Sequence, residues 1–382
     1  MTEPDAGLPA GEYQDRLDRT RAAMEADGLE ALFVYGDEYR PGMPRYYSNF
    51  NTINVVEEST QAVFLPRGGP PVLFVGPLNA DGARRESWIE DVRSAFDLDV
   101  HLPELARASG RRLERLGLVG GDVMPLNVYN RCRRVLPQIE VVPADHIVAD
   151  LRAIKSPAEV RLMRRAAQLA DESLEAAVDQ IAPGKTEVEI SAIGEHVTRL
   201  GGGEIGSAYL VVSGPKTAAP AARPDQRRIQ PGELVWIDFN PRVGGYCCDA
   251  GLTIVTEGAS QELRDLLRFA YETNDRMIAA IGPGLPAVEV FRRTSEIVRA
   301  AGYLEYFEPF TTGMRAIGHG VGLDVVESPD LGPRSSYQFL PNMTMGIKFD
   351  LHGPDFGLRV ERTVLVTETG VEPLNAFPGL AG

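Results

Sequence analysis

The chain has 382 residues, 43% hydrophobic and 24% charged, with a formal net charge of −15. That length exceeds one ordinary core and predicts two domains, while the negative charge disfavours nucleic acid and anionic membrane surfaces as partners. The acidic Met1–Asp5 stretch lacks the apolar core of a secretory signal, no apolar run approaches bilayer length, and three cysteines (Cys132, Cys247, Cys248) make a poor disulfide framework, which predicts a reducing, cytoplasmic setting.

In chain order, residues 13–27 read as an amphipathic helix carrying Leu17, Ala22 and Met24. Residues 31–35, 62–65 and 71–75 are β-type runs. Helical stretches near 103–115 and 126–136 then alternate with strand patterns at 116–119 and 139–142, which indicates a layered α/β domain. The predicted boundary lies near residue 155, giving domains 1–155 and 156–382. Ser156-Pro157-Ala158-Glu159 starts a helix over 157–181: Ser156 and Glu159 form a capping box, and Pro157 suits the first helical position. Its inner side carries Val160, Met163, Ala167, Leu174 and Val178; Pro183-Gly184 ends it, and Thr186 with Glu189 opens the next helix.

The second domain reads as an internal duplication. Ile181-Ala182-Pro183-Gly184 with Val188-Glu189-Ile190 is echoed by Ile281-Gly282-Pro283-Gly284 with Val288-Glu289-Val290. Each copy precedes a hairpin candidate, one containing Ile237-Asp238-Phe239 and Asp249, the other Ile347-Lys348-Phe349 and Glu361. The pattern pairs Asp238 with Lys348 and Asp249 with Glu361. Two such halves would join their sheets around a pseudo-two-fold axis and point one face of each hairpin into a shared cleft. Carboxylates converging there require a compensating cation, commonly a divalent metal with an imidazole ligand, for which His319 in Gly318-His319-Gly320-Val321-Gly322 is placed. A lysine inside that set argues against metal. A relic salt-bridge cluster without chemistry is the bland reading of the same acids.

Residues from about 150 onward resemble the pita-bread fold of creatinase, prolidase, aminopeptidase P and methionine aminopeptidase, on Asp238 and Asp249 with their spacing, the His319 glycine run with Leu323-Asp324-Val325, and Gly357-Leu358-Arg359-Val360-Glu361. The preceding α/β region is similar to the N-terminal domain of the creatinase and prolidase branch. The resemblance implies a two-metal site whose ligands match Asp238, Asp249, His319 and Glu361, with Lys348 in place of the fifth, a glutamate. It also implies two histidines where this chain has Ala221 and Val326. A monovalent ammonium roughly 4 Å from a dication repels it by about 8 kcal/mol at an effective dielectric of about 20, so two metals are not expected.

The leading expectation is therefore a metal-independent enzyme without cofactor, performing creatinase-like C–N hydrolysis or lyase chemistry on a small amino-acid-like or carboxylate-bearing metabolite. His319, Glu361, Asp249, Asp238 and Lys348 would be catalytic, and Arg359, Lys348, Tyr47 and Phe50 would bind substrate. One alternative is a non-catalytic ligand- or protein-binding protein. The other is an Xaa-Pro peptidase with a single Mn, Fe, Co or Zn on Asp238, Asp249 and Glu361. The resemblance further implies a homodimer in which the segment 45–50 covers a neighbour's cleft. Arg359 is expected to brace the acids. Cys247 and Cys248 read as buried strand residues, His352 as a solvated loop histidine, and His101, His146 and His196 as structural.

Overall fold

Six short strands organise the first part of the chain: β1 (Ala31–Gly36), β2 (Gln61–Pro66), β3 (Val72–Val75), β4 (Asp91–Ser94), β5 (Arg115–Val119) and β6 (Glu140–Pro143). They form one mixed sheet in the order β4-β3-β2-β1-β5-β6, with β1/β2 and β2/β3 antiparallel and the other pairs parallel. Helices α1 (Ala10–Ala26), α2 (Gly42–Ser48), α3 (Ala80–Glu86), α4 (Leu98–Ala108), α5 (Leu126–Val135) and α6 (Asp145–Ala153) alternate with the strands, as a layered α/β unit requires. The computed structural model describes residues 8–54, 60–108, 113–307 and 316–377. It separates into two units, Met1–Arg152 and Ala153–Gly382. The helix expected near 103–115 starts earlier, at Leu98, and residues 109–112 lie outside the described residues, as does Met1–Asp5.

The second unit opens with α7 (Pro157–Val178) and α8 (Glu187–Leu200), each started by a complete capping box, Ser156 with Glu159 and Thr186 with Glu189. There follow β7 (Glu204–Ile205), β8 (Leu210–Ser213), β9 (Leu234–Phe239), β10 (Pro241–Val243), β11 (Tyr246–Cys247) and β12 (Ala250–Val255). Then α9 (Gln261–Ala279) and α10 (Ala287–Ala300) repeat the helix pair, and β13 (Gly318–Gly320), β14 (Glu327–Leu331), β15 (Thr344–His352), β16 (Gly357–Val366) and β17 (Val371–Pro373) complete the chain. The main sheet runs β14-β13-β15-β16-β12-β9-β8, with β17 beside β16. Its buried side packs Ile237, Phe239, Leu252, Ile347, Phe349 and Val360 into the core shared with the four helices. Among the described residues no helix is long and apolar enough to cross a membrane.

The duplication is visible in the hydrogen bonds. Gly184 donates to Ile229 and Gly284 to Phe339, both glycines at positive φ, where a side chain is disfavoured. The two hairpins meet where β12 pairs with β16 at Gly251 and Glu361. Asp238 stands opposite Gly251, and Lys348 opposite Glu361. Gly251 is thus the counterpart of Glu361, and two residues earlier Asp249 is the counterpart of Arg359. Asp249 therefore does not match Glu361, as its sequence setting suggested. A two-residue slip keeps a side chain on the same sheet face, so alternation alone does not reveal it. Two threonines confirm the register: Thr253 Oγ1 bonds the backbone N–H and C=O of Arg359, and Thr363 Oγ1 bonds those of Asp249.

Candidate functional site

The central strands bring Asp238, Asp249, His319, Lys348, Asp350, Arg359 and Glu361 together, all at most 7% exposed. Two glycines make the space. A Cβ on Gly346 would lie 3.2 Å from His319 Cε1 and 3.3 Å from Glu361 Oε1; one on Gly251 would lie 3.1 Å from Arg359 Cδ and 3.4 Å from Glu361 Cβ. His319 is carried by β13, whose pairing with β14 is irregular between His319 and Gly320. Its Nδ1 is 3.0 Å from the Gly320 carbonyl oxygen, which only accepts, so Nδ1 carries the proton in that bond and Nε2 faces the acids. Nε2 lies 3.4 Å from Asp249 Oδ2 and 3.4 Å from Glu361 Oε1. Glu361 Oε1 is buried and accepts no hydrogen bond.

Asp238 is used differently. Arg359 Nη1 donates to its Oδ2 at 2.5 Å and Asn240 Nδ2 to its Oδ1 at 3.0 Å. The same amide donates to Asp249 Oδ1 at 2.6 Å, which leaves Asp249 Oδ2 turned toward His319. The rest of the Arg359 guanidinium grips Asp350, from Nε at 3.2 Å and Nη2 at 3.1 Å, and Nη2 also donates to the Pro220 carbonyl at 3.0 Å. Its Cζ stacks 5.1 Å from the Trp236 ring centroid. Arg359 is thus a brace, as one expectation had it, with its donors committed to protein acceptors. Lys348 Nζ lies 3.6 Å from Asp350 Oδ2.

Charge sets what this cluster can hold. Four buried carboxylates, Asp238, Asp249, Asp350 and Glu361, face two fixed cations, Lys348 and Arg359. With every carboxyl ionised, two formal negative charges remain before any charge on a histidine is counted, and a buried excess of that kind is relieved by a bound cation or by protons on the acids. Burial, with Glu361 and Asp238 adding repulsion, pushes the Asp249 carboxyl well above the ordinary carboxylate range. Burial likewise raises Asp238, against the pull of Arg359. For Glu361 burial is outweighed by His319 and by the charges of Lys348 and Arg359, which hold its carboxyl below its usual value. Asp249, His319 and Glu361 each offer a ligand atom, all within 4.8 Å of one another. One imidazole and two carboxylates, one of them with an unpartnered buried oxygen, fit one divalent cation.

Residues 161–368 match metallopeptidase family M24, and residues 16–154 match the creatinase/prolidase N-terminal domain. The chain belongs to metallopeptidase family M24. It is 26% identical over 364 residues to the Xaa-Pro dipeptidase of Pyrococcus furiosus, covering 94% of this chain and 97% of the relative. An uncharacterized peptidase of Bacillus subtilis, YqhT, is 29% identical over 289 residues, covering 74% and 80%. Among solved structures, dipeptidase PepE of Mycobacterium ulcerans superposes with a TM-score of 0.84 at 25% identity, covering 98% of each chain. The prolidase of Pyrococcus horikoshii gives 0.83 at 24%, covering 95% of this chain and 98% of that one. The expected pita-bread architecture with its creatinase-type N-terminal domain is therefore shown.

These findings overturn two expectations. The chain belongs to a metallopeptidase family, its relatives include Xaa-Pro dipeptidases, and three of its buried side chains converge so that they could hold a metal ion, so neither the metal-independent lyase or creatinase-like reading nor the absence of a cofactor stands. The enzyme reading is supported over the binding protein. Of the set expected for a single metal, Asp249 and Glu361 lie with His319, their ligand atoms within 4.8 Å of one another, while Asp238 accepts from Arg359 and Asn240.

Other expected residues fall elsewhere. Tyr47 and Phe50 are 0% and 3% exposed, and the Tyr47 hydroxyl is bonded to Thr20, so both side chains are packed away from solvent. His352 is not a loop residue; it ends β15 and is buried with no hydrogen-bond partner on either ring nitrogen. Cys247 and Cys248 are buried and free. Two site residues were missed. Asp350 was signalled by the alternation Lys348, Asp350, His352 along one strand face. Asn240 had no signal beyond its closeness to Asp238.

Proposed function

We propose that this protein is a metal-dependent peptidase that hydrolyses Xaa-Pro-type dipeptides, with one divalent cation held by Asp249 Oδ2, His319 Nε2 and Glu361 Oε1. The observation that carries this reading is the Asp249–His319–Glu361 cluster, whose ligand atoms lie within 4.8 Å of one another and whose Glu361 Oε1 is buried without a hydrogen-bond partner. The substrate class is supported by the Xaa-Pro dipeptidases among the relatives. A divalent cation supplies Lewis acidity there, polarising a peptide carbonyl and making water nucleophilic at neutral pH.

The chain's own groups do the rest. The Gly320 carbonyl fixes the His319 ring with Nε2 inward. Asn240 and the Thr363 hydroxyl hold Asp249 from the side chain and the backbone. Glu361, held below its usual pKa, stays ionised and available as a ligand. Lys348, opposite Glu361 in the ladder, brings a positive charge to the same face, suited to the oxyanion that develops on the scissile carbonyl or to a dipeptide's terminal carboxylate. A homodimer is the accompanying expectation from the family resemblance, checked by sedimentation velocity.

The test is elemental analysis of protein purified without added metal, followed by assay of Xaa-Pro dipeptides after loading with Mn, Co, Fe or Zn. Metal bound at one equivalent, with turnover abolished by chelation and restored by metal, is expected. Undiminished turnover in chelator overturns the metal assignment; loaded protein that leaves every Xaa-Pro dipeptide intact overturns the substrate assignment.

A further inference from the structure

Asn240 lies between β9 and β10, 3% exposed, and belongs to no motif. Its amide group touches two acids of the cluster, Asp238 Oδ1 at 3.0 Å and Asp249 Oδ1 at 2.6 Å. Ionised carboxylates only accept, so the amide NH2 must face them and its carbonyl must point away. That carbonyl meets the Ser207 hydroxyl at 2.5 Å. The backbone is pinned as well, since the Gly206 N–H donates to the Asn240 carbonyl at 2.8 Å. A Cβ on Gly206 would lie 2.5 Å from that same oxygen, so the close approach needs glycine there. The Asn240 side chain therefore has its orientation set from one side by Ser207 and expresses it on the other side on two carboxylates.

We infer that Asn240, oriented by Ser207, is a positioning residue that sets which oxygen of Asp249 reaches the metal. By occupying Asp249 Oδ1 it presents Oδ2 alone to His319 and Glu361. Its second hydrogen bond ties Asp238 Oδ1 to the same amide, so the two carboxylates are held in one fixed relation. The role rests on the one-cation reading above. It goes beyond that reading in assigning the choice of ligand oxygen to a residue that touches neither metal nor substrate. Outer partners of metal ligands act by fixing ligand direction, and their loss typically weakens metal binding by about 10- to 100-fold.

The experiment measures Mn2+ affinity by titration with electron paramagnetic resonance, and fold by circular dichroism, for wild type, Asn240→Ala, Ser207→Ala, Ser207→Thr and the Asn240→Ala/Ser207→Ala double variant. Asn240→Ala is expected to weaken binding by about 10- to 100-fold. Ser207→Ala should weaken it less, Ser207→Thr should keep wild-type affinity, and Ser207→Ala should add nothing once Asn240 is gone. Ser207 is solvent-exposed, so its variants test the idea even if Asn240→Ala fails to fold. In that case, a loss for Ser207→Ala without a loss for Ser207→Thr supports the role, and equal affinities overturn it. Wild type that takes up no Mn2+ overturns the metal reading and this role together. Wild type that binds Mn2+ with the same affinity as Asn240→Ala, or a Ser207 effect that persists without Asn240, overturns this role alone.

Discussion

In the first hairpin, β9 and β12, the inward positions hold Asp238, Asp249 and Gly251; in the second, β15 and β16, the corresponding positions hold Lys348, Arg359 and Glu361. The backbones are alike down to the paired threonine bonds of Thr253 and Thr363, yet the charges are nearly opposite. Arg359 reaches across to Asp238, so the second half neutralises part of the first. Duplication provided one scaffold twice, and its two copies became complementary instead of equivalent. Neither hairpin could bury its own charges alone.

The severest way to break that complementarity is Arg359→Met, which strands Asp238 and Asp350. Loss of one partner from a buried ion pair costs about 3–5 kcal/mol, read as a lower denaturation midpoint in urea. Arg359→Lys should recover little of it, because an ammonium cannot grip Asp350 and Asp238 together. Next is Glu361→Gln, which removes a ligand charge while keeping shape. Metal affinity should fall by more than about 100-fold, beyond the range for outer partners, and the denaturation midpoint of metal-free protein should fall at neutral pH, because the folded state favours the ionised carboxylate.

The comparison can also be sharpened with pH. Asp249 and Asp238 hold their protons more tightly folded than unfolded, so their contribution is full below the unfolded value, about pH 4, and is lost as pH rises through the folded values. Metal-free protein should therefore gain thermal stability on mild acidification from neutral pH, and metal loading should flatten that slope. Glu361 has the opposite sign. Its contribution is present above its unfolded value of about 4.3 and is lost only at lower pH. A metal-free melting temperature that falls steadily from pH 8 to pH 5 would contradict this balance. The smallest effects belong to the threonines. Thr253→Val and Thr363→Val should each cost about 1–2 kcal/mol. Only Thr363→Val, which loosens Asp249, should also weaken metal binding.

Much of this was legible in the sequence wherever a local device leaves a local mark. The capping boxes at Ser156 and Thr186, the Pro-Gly turns at 183–184 and 283–284, and the glycine run around His319 all form as read. What could not be read was distant or face-preserving. The two-residue register of Asp249 against Arg359 leaves every side chain on its own face. Lys348 was weighed against three acids alone, whereas folding places Asp350 3.6 Å from its Nζ and brings Asp249, His319 and Glu361 together, which the spacing of those residues in sequence does not reveal. Asp350 and His352 were hidden because β15 runs on to His352 before the chain turns. The aromatic segment at Tyr47 and Phe50 is apolar enough for either packing or binding, and composition does not separate the two.

Arg359 lies over one of only two tryptophans in the chain. The other, Trp88, stacks on Tyr13 in the first unit, with ring centroids 5.4 Å apart. Trp88→Phe would leave Trp236 as a lone fluorophore beneath the guanidinium that links Asp238 to Asp350. The cluster thus carries a built-in optical gauge, through which metal uptake, chelation or a slipped brace can be followed in real time without any label.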